Sequence, residues 1–167
     1  DLTVGGDVVA GTGTTHIKAD ALTMTVKGQL GTTTQALETD IDTLTLSSTA
    51  AAGVGDLFLS NTGDLGIVSV STDSDVSLSS DQAITDASAD EAVNISASDL
   101  SLKAGTGISG LNTKVGSLSI INASGNVVID EANGVTIHSI ATDTTSGVVD
   151  LTVGGDVVAG TGTTHIK

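Results

Sequence analysis

Aromatic side chains are nearly missing from this chain: Phe58 stands alone, and there is no Trp or Tyr. A core built without rings must be assembled from Leu, Ile, Val and Ala, which suits thin, regular layers better than a bulky globular centre. Proline is missing as well, so no strand ladder is interrupted for want of a backbone donor. With no Cys there are no disulfide staples, and the redox compartment cannot be read from thiols. Arginine is absent, and five lysines stand against 20 Asp and Glu, a formal charge of −15. Binding phosphates needs Lys and Arg, so nucleic acid is excluded as an expected partner, and an anionic membrane surface with it. No apolar run is long enough to cross a bilayer as a helix, so no membrane insertion is expected.

What the chain does have is repetition. Residues 1–18 read DLTVGGDVVAGTGTTHIK, and residues 150–167 read the same without a substitution. The offset is 149 residues. Self-similarity at a fixed period points to a solenoid or a tandem array before any other fold. The expected organisation is a single segment, 1–167, made of one period, 1–149, and the start of the next copy, 150–167. The second copy adds two acids and a lysine, so one period carries 18 acids, four lysines and a charge of −14.

The local pattern is x-apolar-x-apolar with short polar breaks. It appears as Leu2/Val4, Leu22/Met24/Val26, Leu44/Leu46, Leu57/Leu59, Leu65/Ile67, Val76/Leu78 and Val93/Ile95. It continues as Leu100/Leu102, Leu118/Ile120, Val127/Ile129, Val135/Ile137 and Leu151/Val153. Residues two apart share one face of a strand, so each pair points inward and its Ser, Thr or Asp neighbours point to solvent. No stretch carries a helical stripe. The 38% apolar content, arranged in alternation, argues against disorder in spite of the Ser, Thr, Asp and Gly richness. Turn chemistry stands at Gly5-Gly6, Gly63-Asp64, Gly105-Thr106-Gly107, Asn133-Gly134 and Gly154-Gly155. Asn133-Gly134 suits a two-residue hairpin, but among so many short strands it reads as a corner within a coil.

A degenerate repeat lies inside the period. Ala36–Leu46 aligns with Gly110–Ile120, and Gly55–Ile67 with Gly125–Ile137, with Leu37, Ile41, Leu44 and Leu46 meeting Leu111, Val115, Leu118 and Ile120. The half-repeats fall near 36–109 and 110–149, the latter continuing into the next copy. Cutting at the turns gives about eight coils per period, averaging just under 19 residues, each with two or three short strands. The expected fold is therefore all-β, a right-handed parallel β-helix without caps, rising about 4.8 Å per coil.

Candidate chemistry is sparse. Asp73, Asp75, Asp81, Asp86, Asp90, Glu91 and Asp99 form an acidic stretch without lysine. Carboxylates and loop carbonyls at coil corners are the ligand set Ca²⁺ takes, but no EF-hand or calcium β-roll nonapeptide is present, and a solvated acidic face is the simpler reading. Paired carboxylates invite comparison with polysaccharide-degrading β-helices. Such sites need basic residues and ring-stacking aromatics, and here Lys18, Lys27, Lys103 and Lys114 are scattered. His16, His138 and His165 have no metal-binding spacing and read as surface positions beside inward Ile17, Ile137 and Ile166. Gly11–Thr15 and Gly105–Gly107 lack the Lys-Ser/Thr and the following helix of a phosphate loop. Outward pairs Thr23/Thr25 and Thr43/Thr45 suggest an ice-binding solenoid, yet other coils place Ser or Asp there. The expectation is no catalytic, cofactor-binding or metal residue.

The phrase L-x-T-x-V/I-x-x-L-x-L/I, then G-N/D-V/L-x-I/L, then G-V/L-x-I, stands at Leu37–Leu46 with Gly55–Ile67, and at Leu111–Ile120 with Gly125–Ile137. It resembles the repeats of filamentous-haemagglutinin-type exoproteins and giant bacterial β-solenoid adhesins. The resemblance covers most of the chain and concerns coil shape, so no functional residue carries over. It implies a shaft repeat of a very long extracellular, cell-surface fibre serving adhesion or biofilm matrix. Partners would be the protein itself, through end-to-end continuation and lateral bundling. A carbohydrate-binding or polysaccharide-degrading β-helix is the alternative, and an ice-binding solenoid a lesser one.

Overall fold

The computed structural model describes residues 1–142 and 147–161, and contains no helix among them. The strands are β1 (Leu2–Val4), β2 (Ile17–Val26), β3 (Leu37–Ser48), β4 (Leu57–Asn61), β5 (Leu65–Ser71), β6 (Val76–Ser80) and β7 (Ala83–Asp86). They continue as β8 (Ile95–Ala104), β9 (Gly107–Asn122), β10 (Val127–Glu131), β11 (Val135–Ala141), β12 (Val149–Val153) and β13 (Val157–Ala159). Every strand pairs in parallel with strands one turn away. The chain is a β-solenoid.

Tracing the register upward defines the turns. One ladder runs Leu2, Met24, Leu46, Val70, Ile95, Thr113, Glu131 and Val153. A second runs Val8, Leu30, Leu57, Val76, Leu100, Leu118, Ile137 and Ala159. Each makes seven steps over 151 residues, so the solenoid has seven turns of about 22 residues rather than eight of 19, and rises ~34 Å. The difference lies in the excursions. Residues 31–36 and 49–54 swell the step from Leu30 to Leu57 to 27 residues, and residues 87–93 swell that from Val70 to Ile95 to 25. Cutting at every glycine turn counts such excursions as coils.

The ladders form three faces. Face A holds β4, β6 and the Leu100–Ala104 end of β8; face B holds β5, β7, β10 and β12. Face C is short, carrying the pairs Ala97↔Val115 and Asp99↔Ser117. Strands β2 and β3 run from face A into face B, while β9 runs from B through C to A. The alternation holds along nearly all of this: Leu57, Leu59, Leu65, Ile67, Val76, Leu78, Leu100, Leu102, Leu118 and Ile120 are buried in one continuous core. Three expected pairs depart from it. Val93 is exposed, because residues 87–93 leave the ladder before Ile95 rejoins it. Leu2/Val4 and Leu151/Val153 lie on the first and last turns, with one ladder neighbour instead of two. Asn133-Gly134 joins β10 to β11, which both run parallel to their neighbours, so it is a corner and not a hairpin.

The two DLTVGGDVV copies occupy the same faces seven turns apart, Leu2–Val4 and Leu151–Val153 on face B, Val8 and Val157 approaching face A. The rest of the second copy, residues 162–167 with His165 and Ile166, lies outside the described residues. The internal half-repeat behaves differently. Thr39 stands in the face A column with Asn61, Ser80, Ala104 and Asn122, whereas Thr113 stands in the face B column with Ile95 and Glu131. The half-repeat is rotated about the axis onto another face.

Candidate functional site

The polar residues that come together most tightly are inside the solenoid. Parity puts Asn61 inward, two residues after Leu59, and it is buried at the corner after β4. Its Oδ1 accepts from the Thr39 hydroxyl at 2.9 Å and the Ile41 N–H at 3.0 Å; its Nδ2 donates to the Ile41 and Asp64 carbonyls, both at 3.0 Å. In the other half-repeat the equivalent residue is Glu131, also buried. Its carboxylate accepts from the Thr113 hydroxyl at 2.7 Å, the Val115 N–H at 3.2 Å and the Asn133 N–H at 3.1 Å. A carboxylate has no donor, and Asn133 Nδ2 supplies what is missing by donating to the Val115 carbonyl at 3.1 Å. One corner device is thus built twice, first from one amide and then from an acid and an amide. A buried polar group left without partners costs more than the bond itself returns, so these corners fix the turn.

Sequence reasoning passed over these residues. Their signal was the inward parity itself: Glu131 follows Val127 and Ile129 at the strand spacing.

The acidic stretch divides into separate roles. Asp86 accepts from Asn94 Nδ2 at 2.7 Å and from both the N–H (2.6 Å) and the hydroxyl (2.7 Å) of Ser88. Burial pushes its carboxyl up, but the donated bonds from Ser88 and Asn94 outweigh burial and hold it below the usual carboxylate range. Asn94 is itself fully buried and accepts from the Asn112 N–H one turn on, at 2.8 Å. Asp73, Asp81, Asp90 and Glu91 are exposed and do not join one cluster.

Asp75 and Asp99 join Asp56 in a column at the entry to face A. Each precedes an inward residue of the ladder Leu57, Val76 and Leu100. Their placement repeats a local device: a side-chain oxygen just ahead of a strand accepts an N–H from the next turn. Asp7 takes Gln29 N–H at 2.9 Å, Asp56 takes Asp75 N–H at 3.3 Å, Asp64 takes Ala83 N–H at 3.0 Å, and Asn126 takes Val148 N–H at 3.1 Å. This explains the recurring G-D/N-V/L phrase. Burial raises the Asp75 carboxyl above its ordinary value, and the stacked Asp99 and Asp56 charges raise it further. Asp99 also accepts from the Ser117 hydroxyl at 2.5 Å.

This column borders an outward groove of about 410 Å³. The opposite wall is the register row Phe58, Ser77, Ser101 and Ser119, with Thr33 from the 31–36 excursion below and His138 above. No lysine lines it. A second depression of about 550 Å³ holds Asp73 and Lys114, with Ser96, Ser98 and Asn133 beside them. No group of three His, Cys, Asp or Glu with metal-holding geometry occurs among the described residues.

His16 is a tie rather than a plain surface residue. Its Nδ1 accepts the Glu38 N–H at 3.0 Å, and its Nε2–H donates to the Gly11 carbonyl at 3.1 Å, which also accepts from Gln35 Nε2. The excursions at 11–15 and 31–36 are thereby bound to one another. His138 is exposed beside buried Ile137, where the alternation puts it. Lys18 forms an exposed ion pair with Asp40 across one turn. Compared with protein-family models, curated proteins and solved structures, the chain matches none.

Proposed function

We propose that this chain is a non-catalytic shaft repeat of a very long extracellular bacterial fibre or adhesin, of the filamentous-haemagglutinin type. The observation that carries the reading is the duplicated segment: its two copies lie on the same faces seven turns apart, the ladder from Leu2 reaching Val153, two residues beyond the identical Leu151. An offset of two residues keeps the alternation in phase, so the period can be repeated in tandem with the same residues facing the core. The mechanism is mechanical, continuous parallel ladders giving a thin rod. A charge of −14 per ~34 Å keeps rods apart beyond the ~8 Å screening length, so lateral bundling requires salt or divalent cations such as Ca²⁺. The corner acids support this reading, since Asp7, Asp56 and Asp64 accept backbone bonds of the next turn. The test is a tandem of two periods followed by residues 150–167. X-ray scattering should give a rod ~34 Å longer than the single chain at unchanged cross-section; a compact particle sinks the reading.

One observation favours the alternative of a carbohydrate-binding β-helix. The groove beside Phe58 combines an aromatic ring with a column of carboxylates and a row of serine hydroxyls, groups that accept from and donate to sugar hydroxyls. Titration with neutral and acidic oligosaccharides, followed by Phe58→Ala, separates the two readings. Saturable binding lost in the variant favours the groove.

A further inference from the structure

Six asparagines occur in the chain, and glycine follows only one of them, Asn133. The others precede Thr62, Ile95, Thr113, Ala123 and Val127. Stacking dictates both members of the Asn133-Gly134 pair. A Cβ on residue 134 would stand 2.9 Å from the carbonyl oxygen of Asp156 on the next turn and 3.1 Å from its nitrogen, so the position has room for glycine alone. Position 133 needs an amide, because the Glu131 carboxylate beside it cannot donate. Asn133 Nδ2 makes the two bonds that hold the corner, to the Val115 carbonyl at 3.1 Å and to the Gly134 carbonyl at 2.7 Å.

The same arrangement sets up a reaction. With Nδ2 on the Gly134 carbonyl, the Asn133 side chain is folded back over the peptide that follows it. Its Oδ1 is buried and takes no bond from the described residues, and the Gly134 N–H donates none among them. Only the Nδ2 bonds restrain the amide. A bond from the Gly134 nitrogen to Asn133 Cγ closes a succinimide ring, and residue 134 has no Cβ to obstruct it.

We propose that Asn133 is a self-modifying site, whose spontaneous deamidation turns the corner from amide to acid and loosens it. The Gly134 nitrogen loses its proton to water or hydroxide and bonds to Asn133 Cγ. The Cγ–Nδ2 bond breaks, and Nδ2 leaves as ammonia with a proton taken from water. Water then opens the ring at either carbonyl, giving aspartate or, with the main chain rerouted through Cγ, isoaspartate. Nothing is oxidised or reduced. Either product breaks what the amide held: a carboxylate has no donor for the Val115 carbonyl and sets a second negative charge beside Glu131. Isoaspartate also lengthens the main chain by a methylene and shifts Gly134 against Asp156, whose carbonyl accepts the Val135 N–H at 2.9 Å. Asn61 does the same work in the other half-repeat with Thr62 behind it, and a β-branched neighbour hinders ring closure. One corner is durable and its counterpart perishable. The inference goes beyond the shaft reading and stands without it.

The experiment is incubation of the folded chain in mildly alkaline buffer below its melting point, sampled over time. Peptide mapping by mass spectrometry reads the amide-to-acid mass gain, and an isoaspartyl methyltransferase labels the rearranged product. Both signals should build up at Asn133 ahead of the other five asparagines and faster as pH rises. A population melting at least about 2–4 °C lower should grow in step with them. Conversion of another asparagine first, or an Asn133 that stays an amide throughout, overturns the proposal. Asn133→Asp carries the product charge from the start and should show the lower midpoint without incubation; a midpoint equal to that of the fresh chain overturns the loosening of the corner. Asn133→Gln keeps an amide that must close a larger ring, so this position should stay unconverted. Undiminished conversion there overturns the attack by the Gly134 nitrogen.

Discussion

At the scale of single residues, the inward polar groups decide how each turn is held. Glu131 satisfies the Thr113 hydroxyl and the N–H groups of Val115 and Asn133. Glu131→Ala strands three donors in a closed corner and should cost about 2–4 kcal/mol, read from urea unfolding, while Glu131→Gln keeps an acceptor and should cost less. Asp75 presents the opposite case, because its folded pKa is raised by burial and by the charges of Asp99 and Asp56. Its ionised form is therefore disfavoured by folding: stability is highest below the unfolded carboxylate range and falls as pH rises through the raised value. Asp75→Asn keeps a side-chain oxygen for the ladder and removes the charge. It should raise the melting point at about pH 7, by the equivalent of roughly 0.2–1 kcal/mol, and give no gain at about pH 3. Asp86, lowered by its bonds to Ser88 and Asn94, works the other way, its contribution being present above the unfolded range and lost on acidification. Period-two parity places Leu57, Leu59 and Asn61 on the same side, so the burial of Asn61 was legible in the sequence. That Asn133 would complete the bonds of Glu131 was not, because the partners meet only once the register between turns is set.

At the scale of elements, excursions and tight corners set the length of each turn. Gly125 adopts a φ of 76°, and a Cβ there would stand 2.4 Å from the Thr106 carbonyl of the turn below. Gly125→Ala combines a left-handed backbone with a backbone clash and should destabilise by more than about 1 kcal/mol, measured by denaturant midpoint. Gly53, also at positive φ, meets nothing within 4 Å, because it belongs to the 49–54 excursion. Strands and turns were legible here from alternation and glycine. The number of turns was not, since a glycine inside an excursion reads the same as one at a corner. The acidic groove was also hidden, as Asp56, Asp75 and Asp99 are 19 and 24 residues apart and meet only through the ladder.

At the scale of the whole molecule, stability belongs to stacking, since each turn buries its apolar row against the turns above and below. A two-period protein adds seven interior turns and keeps the same two end turns. Its thermal midpoint should therefore exceed that of the single chain, and equal midpoints in parallel calorimetric scans would show the turns unfolding independently. The two internal repeats are related to this axis in different ways. The 149-residue repeat falls two residues short of the 151 that seven turns take, an even offset, so the described residues of the second copy return to the same faces with the same inward parity. The half-repeat spans a fractional number of turns, which carries Thr39 and Thr113 to different faces. Gene duplication is therefore filtered by angle. A copy placed close to an integral multiple of the pitch keeps its residues on their faces, while one placed out of phase meets new neighbours, as Asn61 and Glu131 do.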